Sequence, residues 1–255
     1  MTPLISNLDH VSIAVTDLAG AVHDYRTLFN TTVSPRASNN DNEAWLYTGN
    51  IWLRLHQSDD ASGLHHMAFA CGDWSKAKRR IKQFSLAADE AEAPELKNST
   101  VHLNTERTRG VSLSMMPQEA PSQDAVNTSR DVTGLDHVVI KTAQPEHTGF
   151  VFGSILGLDC RMDLSNPKWD SRLVFYRCGD LIVELYHPLS SGEQSAPDIF
   201  FGLTWRVADI NTTRARLIDS GVAVSELRKG RKPGTAVFTV KSHTQDVPTL
   251  FIGPA

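Results

Sequence analysis

Four segments of this chain can be laid over one another, and that repeat constrains the fold more than any other feature. They are Leu8-Asp9-His10-Val11-Ser12-Ile13-Ala14-Val15, Leu64-His65-His66-Met67-Ala68-Phe69-Ala70-Cys71, Leu135-Asp136-His137-Val138-Val139-Ile140-Lys141 and Phe201-Gly202-Leu203-Thr204-Trp205-Arg206-Val207. Each reads as a short strand. In three of them an aspartate (Asp17, Asp73, Asp209) stands where it can cap a following helix. The third has Gln144-Pro145 instead, and proline suits a first helical turn. Apolar residues at helical spacing come next: Leu18, Val22, Tyr25, Leu28 and Phe29; then Trp74, Ala77, Ile81 and Phe84; then 150–156, ending at Gly157; then Ile210, Leu217 and Ile218 before Ser220-Gly221.

After each helix the pattern turns to short strands and turns. Examples are 43–56 around Gly49-Asn50, 172–187 around Gly179-Asp180, and 235–252 with a turn near 242–246. The second unit is thinner, with strands near 99–104 and 110–116. The reading is α+β: four tandem βαβββ modules at 6–57, 62–116, 133–188 and 199–255. They form cupped mixed sheets with helices packed outside. The polar stretch 117–132 serves as linker, giving a first domain at 1–120 and a second at 133–255.

Strand alternation sorts the faces. Val11, Ile13 and Val15 oppose His10, Ser12 and Ala14; Met67, Phe69 and Cys71 oppose His66, Ala68 and Ala70; Val138 and Ile140 oppose His137, Val139 and Lys141; Leu203, Trp205 and Val207 oppose Gly202, Thr204 and Arg206. One face is large and apolar, fit for a helix. The other holds small or polar residues and the histidines. Glu184 lies within Leu181-Ile182-Val183-Glu184-Leu185-Tyr186, where an ionised carboxylate needs a charge partner.

The net charge of −4 and pI near 6.2 give no electrostatic footprint for nucleic acid or an anionic membrane. No apolar run reaches the roughly 18 residues of a membrane span, and the first residues lack a signal-peptide pattern. Three dispersed cysteines, Cys71, Cys160 and Cys178, suit a reduced cytoplasm. The expected partner is a small-molecule substrate, with neither nucleic acid nor membrane; a homodimer stays open.

The segments LDHVSIAVTD, LHHMAFACGD and LDHVVI, with LIVELYHP, resemble the vicinal oxygen chelate superfamily: glyoxalase I, bleomycin-resistance proteins and type I extradiol dioxygenases. The resemblance spans nearly the whole chain and implies one divalent metal, held by first-strand residues of two paired modules and a last-strand glutamate. Glu184 matches that glutamate; Arg54, Ser112 or Ser114, and Phe251 or Ile252 stand at the corresponding places elsewhere. Only modules two and three together supply two histidines and a carboxylate, so the expected metal ligands are His66, His137 and Glu184. Other pairings, with His10 as ligand, stay open. Two histidines and one carboxylate with open positions is the arrangement of Fe(II) oxygenases, so Fe(II) is the first metal expected, ahead of Mn, Zn or Ni.

The implied function is a metal-dependent, extradiol-dioxygenase-like enzyme. The alternatives are a glyoxalase- or epimerase-like lyase or isomerase and a metal-free small-molecule binder. Extradiol enzymes carry an acid/base histidine near the same strand, which is absent here, and a tyrosine before the glutamate. Tyr176 is the substrate-binding candidate for that place, its face depending on the length of the turn before Glu184. His65 is expected at the rim, and His56, His102, His147, His187 and His243 at loop or strand-end surfaces. Arg54 and Arg206 would share a cup if modules one and four pair.

Overall fold

A computed structural model describes residues 4–31, 41–59, 62–88, 100–118, 129, 131–190 and 196–255. Most of the expected linker lies outside the described residues. In chain order the elements are β1 (Asn7–Val15), α1 (Leu18–Phe29), β2 (Glu43–Tyr47), β3 (Trp52–Gln57), β4 (Gly63–Cys71), α2 (Trp74–Gln83), β5 (Val101–His102), β6 (Ser112–Pro117) and β7 (Val132–Lys141). Then come α3 (Pro145–Gly149), which runs on as a π-helical segment over Phe150–Ile155, β8 (Asp159–Asn166), β9 (Ser171–Cys178), β10 (Leu181–Pro188), β11 (Ile199–Val207), α4 (Ile210–Asp219), β12 (Arg228–Lys229), β13 (Thr235–Val240) and β14 (Thr249–Pro254).

The helix starts follow from their caps. Asp17 accepts from the Gly20 amide, Asp73 from Lys76, and Asp209 from Asn211 and Thr212, each satisfying donors a helix leaves open. Pro145 occupies the first turn of α3, where its missing N–H costs nothing. Beyond the π-helical segment the chain turns at Gly157, whose φ of 74° lies where only glycine is unstrained.

The strands form two mixed sheets, ordered β2-β3-β1-β4-β6-β5 and β12-β13-β14-β11-β7-β10-β9-β8. The four first strands of the repeat, β1, β4, β7 and β11, occupy the middle of these sheets, as the repeat requires. Parallel pairing of β4 with β6 and of β11 with β14 closes each module around its helix. Modules three and four carry three strands after the helix, and modules one and two carry two among the described residues.

The chain divides into two compact units, one of Met1–His10, His65–Ala120 and Val138–Phe200, the other of Val11–Leu64, Pro121–His137 and Phe201–Ala255. Modules two and three thus make the bulk of the first unit, and modules one and four that of the second. In the first unit Phe69 meets Phe152 edge-on at 6.4 Å, and Arg80 of α2 donates to the Ser154 carbonyl. In the second, Phe29 stands between Tyr25 at 5.5 Å and Trp205 at 4.8 Å. All three rings are fully buried, and edge-on aromatic pairs add to their burial. Arg216 of α4 donates to the carbonyls of Thr27 and Leu28 at the end of α1 and pairs with Asp131, so one cation completes the C-terminus of α1. Arg54 and Arg206 both fall in the second unit, where Arg54 is paired with Glu43 at 2.7 Å.

Candidate functional site: an imidazole cluster and a buried carboxylate

In the first unit, the apolar face of β4 carries Met67 and Phe69, both with no exposed surface. The opposite face carries His66, 7% exposed. Its ring centroid lies 5.8 Å from that of His10 and 5.8 Å from that of His102; His65 is 6.3 Å away. Sheet register explains how these rings are held. His66 stands opposite Ser112 and Ala68 opposite Ser114 in the β4–β6 ladder, and His102 stands opposite Ser114 in the β5–β6 ladder.

Each imidazole therefore finds an oxygen at Nδ1. Ser112 Oγ lies 3.0 Å from His66, Ser114 Oγ 2.9 Å from His102, and Asp9 Oδ1 2.7 Å from His10. A carboxylate only accepts, so the Nδ1–H of His10 donates to Asp9. In its neutral form, the Nε2 of His10 then carries the lone pair. His102 was expected at a strand-end surface; it is exposed, yet it stands against His66. The serines Ser112 and Ser114, poor ligands by chemistry, orient the rings. Their alternation with His66 and His102 was the available signal, but only the parallel β4–β6 pairing makes it readable.

His137, in the second unit, has the same bracing, with Nδ1 3.0 Å from Asp136 Oδ2. Burial pushes the Asp136 carboxyl up. The hydrogen bond from His137 and the charges of His137, Arg206 and Lys232 outweigh it and hold the group below the usual carboxylate range.

Glu184 is in the first unit and only 9% exposed. In the β9–β10 hairpin Glu184 faces Phe175, and Val183 faces Tyr176. Tyr176 therefore points to the other side of the sheet. Its hydroxyl donates to the Gly149 carbonyl at 3.2 Å, and its ring packs 6.3 Å from Phe152. That is the helix-covered side, so the tyrosine expected to bind substrate sits in packing under α3, away from Glu184. Burial, with the charges of Cys160 and Asp163, pushes its phenol up.

Of the expected ligands, then, His66 and Glu184 share the first unit, while His137 belongs to the second. Among the described residues no three His, Cys, Asp or Glu side chains are gathered to hold a metal ion. His66 and His137 each have at Nδ1 the bracing that ligating imidazoles need.

No family model and no curated protein sequence matches the chain. Solved structures do. A mutant of 4-hydroxymandelate synthase from Streptomyces coelicolor overlays all of this chain on 93% of its own, with a TM-score of 0.72 at 15% identity. The 2,3-dioxygenase LapB from Pseudomonas sp. KL28 covers 100% of this chain and 94% of its own, with TM-score 0.73 and 12% identity. The Mn(II)-bound glyoxalase from Novosphingobium aromaticivorans covers 98% and 82%, with TM-score 0.68 and 12% identity. Across such distant sequences the likeness is one of fold. With the fourfold repeat and the two mixed sheets, it establishes that the chain has the vicinal oxygen chelate fold.

Proposed function

We propose that the chain is an enzyme of the vicinal oxygen chelate type. It would act on a small oxygen-bearing molecule held by the imidazole face of the first unit. One observation carries this reading: three imidazoles, His10, His66 and His102, stand in succession at 5.8 Å on one face, each with Nδ1 held by oxygen. Fixed rings of this kind move protons to and from a substrate oxygen or an adjacent carbon. His10, braced by Asp9, is placed to take a proton at Nε2, and His66 to hydrogen-bond the oxygen on which charge develops. The fold shared with dioxygenases and a glyoxalase supports an enzyme of small oxygenated substrates over other classes.

A second reading is the metal-dependent, ring-cleaving one. It is favoured by the bracing of both His66 and His137 at Nδ1, the way ligating imidazoles are oriented. His66, His137 and Glu184 would hold Fe(II), or Mn, Zn or Ni, which would act as a Lewis acid on two neighbouring substrate oxygens.

The test is turnover of catechols, 2-oxo acids and the hemithioacetal of methylglyoxal, followed by oxygen uptake and by deuterium incorporation from D2O. Protein is prepared without chelator and its metal content measured. Turnover abolished in His66→Ala supports the site. Deuterium exchange without stoichiometric metal supports the first reading, and metal-dependent oxygen uptake the second. Binding without any turnover assigns the chain to metal-free binders and overturns both.

A further inference from the structure

The strands of the second unit carry two cross-strand rows on one face. Arg206 pairs with Ile252, Ile252 with Val237, and Val237 with Arg228. Beside that row, Thr204 pairs with Leu250 and Leu250 with Thr239. Paired residues point to the same side of a sheet. The opposite side carries Trp205, Phe251 and Phe238, all with no exposed surface, and Trp205 packs on Phe29 of α1. The side away from the helix therefore has an arginine at each end of one row. Aliphatic and hydroxyl side chains lie between them, and neither row holds a carboxylate.

Three observations fold this face into a cup. Arg228, on the edge strand, donates to Thr239 Oγ1 at 2.9 Å, which turns its guanidinium inward over the second row. Lys232, on the turn between β12 and β13, and Arg206 both stand close enough to Asp136 for their charges to act on its carboxyl. Asp136 belongs to β7, four positions from β12 in the sheet. In a flat sheet that is about 19 Å, well beyond a screening length of about 10 Å, so the β12–β13 turn curls back over the sheet. Gly134 leaves the space on β7: a Cβ there would stand 2.7 Å from Asn50 Oδ1 and 3.1 Å from Arg206 Nη2.

We propose that this cup binds a small organic anion. Arg206, Lys232 and Arg228 hold its oxyanion head, a carboxylate or a phosphate, and its apolar body lies on Ile252, Val237 and Leu250. The site is made wholly of second-unit residues and uses none of the imidazole face, so it is tested apart from the function proposed above.

Hexanoate and hexyl phosphate are the probes, with hexanol and inorganic phosphate as controls, and binding is read by isothermal titration. At least one organic anion should bind once per chain, and the tighter of the two names the head group. Hexanol, without the charge, and inorganic phosphate, without the body, should each bind weaker by about tenfold or more. Arg206 is half-buried, whereas Arg228 and Lys232 are exposed, so Arg228→Met and Lys232→Met carry the test. Each should weaken the organic anion by about fivefold and keep the wild-type melting temperature. Failure of both organic anions to bind overturns the inference. So does hexanol or inorganic phosphate binding as tightly as they do, or unchanged affinity in both variants.

Discussion

Glu184 and Tyr176 lie on opposite faces of one β-hairpin. The register places Phe175 across from the glutamate and Val183 across from the tyrosine. Tyr176 is packed beneath α3, hydrogen-bonded to Gly149, and Glu184 looks to the other side of the sheet.

Tyr176→Phe should therefore be a stability variant. It removes one hydrogen bond and leaves the ring, so unfolding in urea should show a loss of about 0.5–1.5 kcal/mol. Catechol affinity should equal that of the wild type. A large affinity loss with unchanged stability would put the phenol in the site.

Glu184→Gln keeps the shape of a buried carboxylate and removes its charge. Since among the described residues no three donors are gathered to hold a metal ion, the melting temperature should drop by the same amount with EDTA and with added Fe(II) or Mn(II). A drop seen only in the presence of metal would mean that metal saturation stabilised the wild type through this residue, and would favour the metal-dependent reading.

Thiol chemistry separates the three cysteines. Cys160 is exposed, whereas Cys71 and Cys178 are buried. Burial pushes the Cys71 thiol up to about 12 and that of Cys178 up as well, which removes the reactive thiolate. Ellman's reagent should label one thiol quickly in the native protein and all three after denaturation. Fast labelling of two or three would contradict the burial.

The Asp136–His137 pair sets a pH dependence. The folded carboxyl is held below its ordinary value of about 3.9, so its contribution to stability is present above that pH and is lost as pH falls through the depressed value. Asp136→Asn should cost about 1 kcal/mol at pH 7, discounted for partial exposure, and the gap to wild type should close on titration below about pH 4. A constant gap across that range would show that the carboxylate charge contributes nothing.

Much of the fold was legible because it rests on local rules applied four times. Asp17, Asp73 and Asp209 cap helices as read, Pro145 opens α3, and the strands bearing His10, His66, His137 and Gly202 sit centrally in their sheets. The site was legible only in its residue types. The face of Tyr176 depended on the register of a turn. His102 reached His66 through parallel pairing of β4 with β6, a contact no periodicity reveals.

On the reading proposed above, the imidazole face of the first unit binds a small oxygen-bearing molecule. The most direct measurement is a 1H–13C correlation spectrum of the histidine ring Cε1–Hε1 groups, recorded during titration with 4-butylcatechol at fixed pH. The signals of His10, His66 and His102, assigned by single substitution, should shift together and saturate with one binding constant, while those of His23, His147 and His243 stay in place. Saturation of binding with no movement of the three imidazoles would place the ligand elsewhere on the protein.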